Sequence, residues 1–572
     1  MTFAGKAIAL WVVAATAILS FAWADETAEP PGPGTAVAEP TATTRPSPGV
    51  DVVQAQVNRR TWRNATCALP RDQLQRSLRG YFRGRSPEIT FVPTEPHFFG
   101  NFKTTTTHSG PWDYVQEVPL VLYGPGYIRS TGDLTLDRGA TVADLAPTFA
   151  KLLGTSFPGA RPGRALTEAL IPKNLRPGKP RLIMTVVWDG GGWNTLNEWP
   201  STWPNLAKLM AGGTSVQNVM VGSNPSVTPA IHANMGTGAF PNRHGIVSIP
   251  QRRAGRIEDS WAGHSPHNLE IKTLADMYDQ RTGNRAKIGM IAEQDWHLGM
   301  IGHGAAIRGG DKDIAVLTRT KPFETNARYY RLPDYLQSVP GFKTDVRTID
   351  KSDGNQNNKW FGHPLPKDRS EGFANPAWSL YQMRMLRVLL NRERFGRDLV
   401  PDLFYTNFKQ IDEVSHAYFL QSPEMKGTIP YSDQALGSLV RWMNHNVGKK
   451  RWVLAVTADH GVGPKFTEVG AWPINMQELQ IDVAIRFGMR ITELFDNQRP
   501  QGFWVDRAAL RRAGVTRADI ADFLVNYRMR DNLKDSQRIR DGYRAMLDQR
   551  LFSAAWPTDA ITSMSHCKRG NA

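Results

Sequence analysis

The 572-residue sequence predicts a layered α/β/α domain with a mainly parallel central sheet and a smaller α/β cap insertion. Two observations carry the prediction. Short, near-continuous apolar runs recur along the chain, as strands buried on both faces require. Between them lie segments with helical spacing and helix-ending signals.

The apolar runs are Ile89-Thr-Phe-Val-Pro93, Val118 to Tyr123, Leu182 to Trp188, Ile288 to Ile291, Leu403 to Asn407 and Trp452 to Thr457. Thr141-Val-Ala-Asp144 reads as a capping pattern that opens a helix, and Gly154 closes it after Leu152 and Leu153. Pro204 to Met210 and Met383 to Leu390 read as further helices, and GFWVDRAAL near the C-terminus as a strand-to-helix unit. In such sheets ligands sit beyond the carboxyl ends of the strands, so the residues just after each strand carry the chemical information.

The start of the chain predicts export. Lys6, an apolar run from Ala7 to about Phe21 and Ala22-Trp23-Ala24 form a signal segment over 1–24, with cleavage before Asp25. The run falls short of the ~20 apolar residues a membrane span needs, so no span is expected after cleavage. Residues 25–66 are rich in Pro, Ala and Thr and read as a tether. In an oxidising compartment Cys67 and Cys567, the only two cysteines, suggest a disulfide; two unpaired buried thiols are the alternative.

An excess of 69 Lys+Arg over 53 Asp+Glu gives a formal charge of +16. The basic residues are scattered, and no reading motif accompanies them. The charge therefore fits attraction of small anions and argues against sequence-specific nucleic-acid binding.

Three strand ends carry donors of the kind that hold a divalent cation. Asp189 follows the first, Asp412 and His416 follow the second at i and i+4, and Asp459-His460 follow the third. This mixture of carboxylate and imidazole suits zinc or a similar ion. Each group alone is a weak signal; three at one sheet edge are not.

With these residues in place, TPAIHANMGTGAFPNRHGI, from Thr228 to Ile246, resembles the nucleophile helix of type I phosphodiesterases/nucleotide pyrophosphatases of the alkaline phosphatase superfamily. VVWDGG, FKQIDEVSHAY and VTADHG resemble the three metal motifs of that family, in order. The resemblance implies the alkaline phosphatase type of sandwich and two divalent ions, taken as zinc. One is expected on Asp189, Thr228, Asp459 and His460, the other on Asp412, His416 and one more histidine. It also implies Thr228 as nucleophile, a phospho-threonine intermediate and a small phosphate-ester substrate. Ser226 is the nearby alternative nucleophile, but only Thr228 fits the spacing to His232 and Gly238.

The seventh donor departs from the family order. After His460 the one remaining histidine is His566, whereas FFGNFKTTTTHSGPWDYVQEVPLVLYGPGYI near the front resembles the family's last metal loop and strand. His108 is therefore assigned, and the chain is read as circularly permuted: residues 67–176 as the family's C-terminal part, 177–470 as the catalytic core with an excursion at about 310–380, and 471–572 as a cap-type region and tail. That order would bring Cys67 and Cys567 together.

Substrate choice is less legible. Where related monoesterases place a Lys-x-Arg pair, this chain has Gln294 and Trp296, which tilts the expectation toward diesters or pyrophosphates. Trp296 suits stacking on a base or aryl group, or packing as core. A phosphomonoesterase and an inactive binding protein of the same fold are the alternatives; the absence of a Cys/Ser-x-Pro-x-Arg motif disfavours a sulfatase.

Overall fold

The apolar runs do become strands. The computed structural model describes residues 60–100, 106–500, 502–533, 541–564 and 567. The expected signal segment, most of the tether and His566 lie outside them. Among the described residues nine strands form the central sheet, in the order Tyr330–Arg331, Asp313–Leu317, Ile288–Ala292, Asp402–Phe408, Leu182–Trp188, Trp452–Thr457, Leu120–Tyr123, Thr214–Val216 and Gly132–Leu134. The four in the middle are buried along their whole length. That explains their lack of polar alternation.

One strand breaks the parallel order. Leu120–Tyr123 runs antiparallel to both neighbours, with Leu120 opposite Thr457 and Val216. The chain thus enters this strand from the edge where the parallel strands end, which brings the loop ahead of it to that edge. Apolar cores lie on both faces: Leu145, Phe149, Ile231 and Met300 on one, Trp378, Leu386, Leu436 and Met443 on the other.

Three expectations need correction. Ile89–Pro93 is a buried strand, but it belongs to a separate antiparallel sheet of order Phe495–Arg499, Gly502–Val505, Ile89–Pro93, Phe552–Pro557. Burial on both faces here comes from helices such as Met476–Arg486 and Arg517–Leu524, whose Leu479, Val483, Ile520 and Leu524 share a core with Phe91. The excursion at 310–380 opens with a central strand, Asp313–Leu317, so the chain leaves the sheet only after Leu317. The tether ends sooner than residue 66: Trp62–Cys67 is helical, capped by Thr61, and Thr66 Oγ1 donates to the Ala555 carbonyl.

Helix signals hold with shifted bounds. The Thr141 capping box opens a short turn that runs into Leu145–Leu153, and Gly154 ends the helix at φ 66°. Met383 to Leu390 is the middle of Ala377–Arg392, because Trp378 and Tyr381 extend the buried face one turn earlier. Among the described residues no helix is long and apolar enough to cross a membrane. Cys67 and Cys567 form a disulfide with Cα atoms 5.3 Å apart.

A buried ion pair supports the sheet's flank. His303 Nδ1 donates to Asp276 Oδ2 at 2.8 Å and Nε2 donates to the Leu269 carbonyl at 2.9 Å, so the ring carries both protons. Burial opposes that charge, but the Asp276 carboxylate outweighs it and raises the imidazolium pKa. The stabilisation is complete below the unfolded value of about 6.5 and is lost as pH rises through the higher folded value. The unfolding free energy, measured in urea, is expected to fall between pH 6 and pH 9, and to fall less in His303→Gln.

Candidate active site

Four adjacent strands deliver the residues after them to one place. Asp189 follows Leu182–Trp188, Lys409 and Asp412 follow Asp402–Phe408, Asp459 and His460 follow Trp452–Thr457, and His297 follows Ile288–Ala292. All of these side chains are buried. His108 arrives in the loop before the antiparallel strand. Its Nε2 lies 3.8 Å from Asp412 Oδ1, and its ring stacks on His460 at 3.6 Å and stands 5.2 Å from His416.

Local sequence explains the closeness. Gly190 has φ +70°, and a Cβ there would sit 3.0 Å from Asp412 Cα, so the turn after Asp189 admits no side chain. Thr228 opens the helix Thr228–Thr237, with Pro229 in its first turn and Gly238 at its left-handed end. A Cβ at Gly236 would meet the Gly299 carbonyl at 2.1 Å, so this helix lies directly against the Asp295–Met300 turn that carries His297.

The imidazoles are held as neutral donors. His108 Nδ1 donates to the Ser226 carbonyl at 3.0 Å and His460 Nδ1 to the Gly461 carbonyl at 3.0 Å, which leaves each Nε2 lone pair facing the carboxylates. Burial lowers the pKa of both rings. Ser226 Oγ is committed elsewhere, donating to the His108 carbonyl at 2.7 Å and accepting from Gly110 N–H. It ties the His108 loop to the segment ahead of Thr228. His232 and His244 are held by hydrogen bonds: His232 by the Thr228 carbonyl at 2.8 Å and by Asn407, His244 by Asn234 at 2.8 Å.

Sequence reasoning missed three residues. Lys409 Nζ donates to Asp189 Oδ1 at 2.8 Å, pairs with Asp412 Oδ2 at 2.7 Å and lies 3.4 Å from Thr228 Oγ1. Asn407 Nδ2 donates to Asp189 Oδ2 at 2.9 Å, and His297 Nε2 lies 3.4 Å from the same oxygen. Lys409 and Asn407 sit at the end of a predicted strand, the place where function was expected. His297 is a neighbour of two residues expected at the substrate: Trp296 is half-buried against the core with its ring 6.0 Å from Lys409 Nζ, and the Gln294 carbonyl holds His297 Nδ1.

The electrostatics point to a cation. Burial opposes the charge on Asp189 and Asp412, but Lys409 holds both well below the ordinary carboxylate range. The three carboxylates in turn raise Lys409 against its burial. Asp459 is pushed well up by burial and by Asp189. Asp459 Oδ2, Asp412 Oδ1 and His460 Nε2 are buried without a hydrogen-bond partner. His460 Nε2 lies 3.4 Å from Asp459 Oδ2 and 3.9 Å from Asp412 Oδ1, and His416 Nε2 lies 3.4 Å from that same Asp412 atom. Bonds of ~2.1 Å in a tetrahedral site put neighbouring ligand atoms about 3.4 Å apart. His108, Asp412 and His460 can therefore gather round a divalent cation, and Asp189, Asp459 and His460 form a second such group.

The family model for type I phosphodiesterases/nucleotide pyrophosphatases matches residues 183–509. The chain belongs to that family. Among curated relatives, this phosphodiesterase-family chain is 22% identical over 332 residues to alkaline phosphatase PhoV of Synechococcus elongatus, covering 50% of this chain and 59% of the relative. It is 22% identical over 334 residues to alkaline phosphatase PafA of Elizabethkingia meningoseptica, covering 50% and 60%. The chain thus spans about three-fifths of the length of the curated relatives it matches. Among solved structures, the crystal structure of wild-type PafA aligns with TM-score 0.49 and 19% identity, covering 60% of this chain and 76% of that one. Murine ectonucleotide pyrophosphatase/phosphodiesterase 5 aligns with TM-score 0.28 and 18% identity, covering 49% and 56%.

Proposed function

We propose that the chain is an exported, metal-dependent phosphoesterase that attacks phosphodiesters or pyrophosphates with Thr228. The observation that carries this reading is Thr228 Oγ1 at a helix N-terminus, beside the buried Asp–His cluster, with Lys409 Nζ 3.4 Å away. Asp412, His108 and His416, together with Asp459 and His460, would hold the ion, and their mixture of nitrogen and oxygen donors favours zinc. When bound, a divalent ion supplies positive charge and Lewis acidity at the phosphoryl group.

This chain's residues do the rest. Thr228 Oγ1 forms a bond to phosphorus as the bond from phosphorus to the leaving oxygen breaks. The free N–H groups of the first helical turn receive the phosphoryl oxygens. Water then attacks phospho-Thr228, breaks the Oγ1–phosphorus bond and restores the hydroxyl. Two in-line displacements retain configuration at phosphorus.

Gln294 and Trp296, in place of two cations, support a diester or pyrophosphate, whose transferring group carries less charge to neutralise than a monoester dianion. The second reading is a phosphomonoesterase, favoured by the alkaline phosphatase relatives and by Lys409 as a further cation. Export is supported by the Cys67–Cys567 bond, since disulfides persist in oxidising compartments. A circular permutation is supported by the family match, which begins only at residue 183, and by His108, which reaches the site from ahead of it.

The test compares bis-p-nitrophenyl phosphate with p-nitrophenyl phosphate on zinc-loaded mature protein. Faster diester hydrolysis is expected; faster monoester hydrolysis would make the second reading the answer. In the same assay His108→Ala is expected to weaken zinc binding by more than about 100-fold, read by calorimetry. Unchanged zinc affinity would remove His108 from the donor set and the permutation's main support with it.

A further inference from the structure

The family resemblance implies two divalent ions, but Lys409 stands where the two donor sets meet. Its ammonium touches Asp189, expected on one ion, and Asp412, expected on the other, at 2.8 and 2.7 Å. Its third neighbour is Thr228 Oγ1 at 3.4 Å, another donor expected on the Asp189 side. Both Asp189 oxygens are engaged: Asn407 donates to Oδ2 at 2.9 Å and Lys409 donates to Oδ1. Of the buried atoms without a hydrogen-bond partner, Asp412 Oδ1 faces His108 at 3.8 Å, and His460 Nε2 stands between Asp412 Oδ1 at 3.9 Å and Asp189 Oδ1 at 3.5 Å.

We infer that Lys409 is a built-in cation that takes the place of the ion expected between Asp189 and Thr228, so that the chain holds one divalent ion instead of two. That ion would sit at His108, Asp412 and His460, whose donor atoms lie within 4.8 Å of one another, with His416 and Asp459 beside it. The inference rests on the metal-centre reading above and specifies the centre's composition.

Charge and packing both support it. Lys409 puts a positive charge beside Asp189 and Thr228, where the second ion is expected. A divalent ion added there would place like charges at contact distance. Lys409 cannot yield by swinging into solvent. Its side chain is only 4% exposed, it follows the end of a central strand, and the Trp296 ring lies 6.0 Å from Nζ. An ammonium beside Thr228 Oγ1 also provides what the absent ion would have provided there, a positive charge that favours the alkoxide during attack.

The test is metal stoichiometry, which needs no turnover. Mature wild-type protein and Lys409→Met are stripped with chelator, titrated with zinc by calorimetry, desalted and assayed for metal by mass spectrometry. One zinc per wild-type chain and two per Lys409→Met chain are expected. Two in the wild type would overturn the inference and leave the phosphoesterase reading standing. One in both proteins would overturn it as well, because Lys409 would not be what excludes the second ion. No zinc in either would sink the metal centre and the inference together. The wild-type count stands even if Lys409→Met fails to fold, which its thermal unfolding curve reports.

Discussion

Thr228→Ala is expected to reduce kcat on bis-p-nitrophenyl phosphate by at least about 10³-fold, since it removes the atom proposed to form the covalent bond. The size of the loss separates two mechanisms. If water attacked the substrate directly, Thr228 would only help to cap its helix and line the site, and alanine would cost about 10-fold or less. Thr228→Ser keeps the hydroxyl and loses one methyl group, so it is expected to retain most of the activity. Ser226→Ala tests the neighbour. Ser226 Oγ holds the His108 loop through its 2.7 Å bond to the His108 carbonyl, so its loss should weaken zinc binding while Thr228 still turns over. A phospho-enzyme trapped by acid quench in the wild type and absent from Thr228→Ala would identify the covalent bond itself.

The fold and much of this site were legible because they depend on local pattern. Leu182–Trp188 and Trp452–Thr457 match their apolar runs residue for residue, since a strand buried on both faces leaves its full length in the sequence. The same pattern could not say which sheet a strand joins, so Ile89–Pro93, buried beneath the second sheet's helices, reads like a central strand. Nor does an apolar run show direction, and the antiparallel Leu120–Tyr123 is what carries His108 to the site. The carboxylates and histidines stood out because residues able to hold a metal have few other reasons to follow three strands, and the fold does bring them together. Lys409 was not found, because a lysine in sequence ordinarily means a solvated surface. Only burial against three carboxylates gives it another meaning.

Replacing both cysteines by serine is expected to lower the unfolding free energy by about 2–5 kcal/mol, a large share of the roughly 5–15 kcal/mol that holds a domain together. The Cys67–Cys567 bond joins residues 500 apart, so nearly the whole chain is looped in the unfolded state, and chain entropy puts the effect near the top of that range. In the folded state the ends meet without help from the bond. The Arg60 and Trp62 amides donate to Asn526 and Asp522, and Thr66 donates to the Ala555 carbonyl. The double serine variant should therefore keep its fold and activity, while its urea midpoint falls and its m-value rises as the unfolded chain expands. Both cysteines must change together, because a single replacement leaves a reactive thiol that confounds the measurement. A midpoint that does not move would mean that the unfolded chain already holds its ends together. A loss of folding would mean that the 62–67 helix docks only when tethered, so that the bond, rather than packing, joins the two ends of the proposed permuted chain.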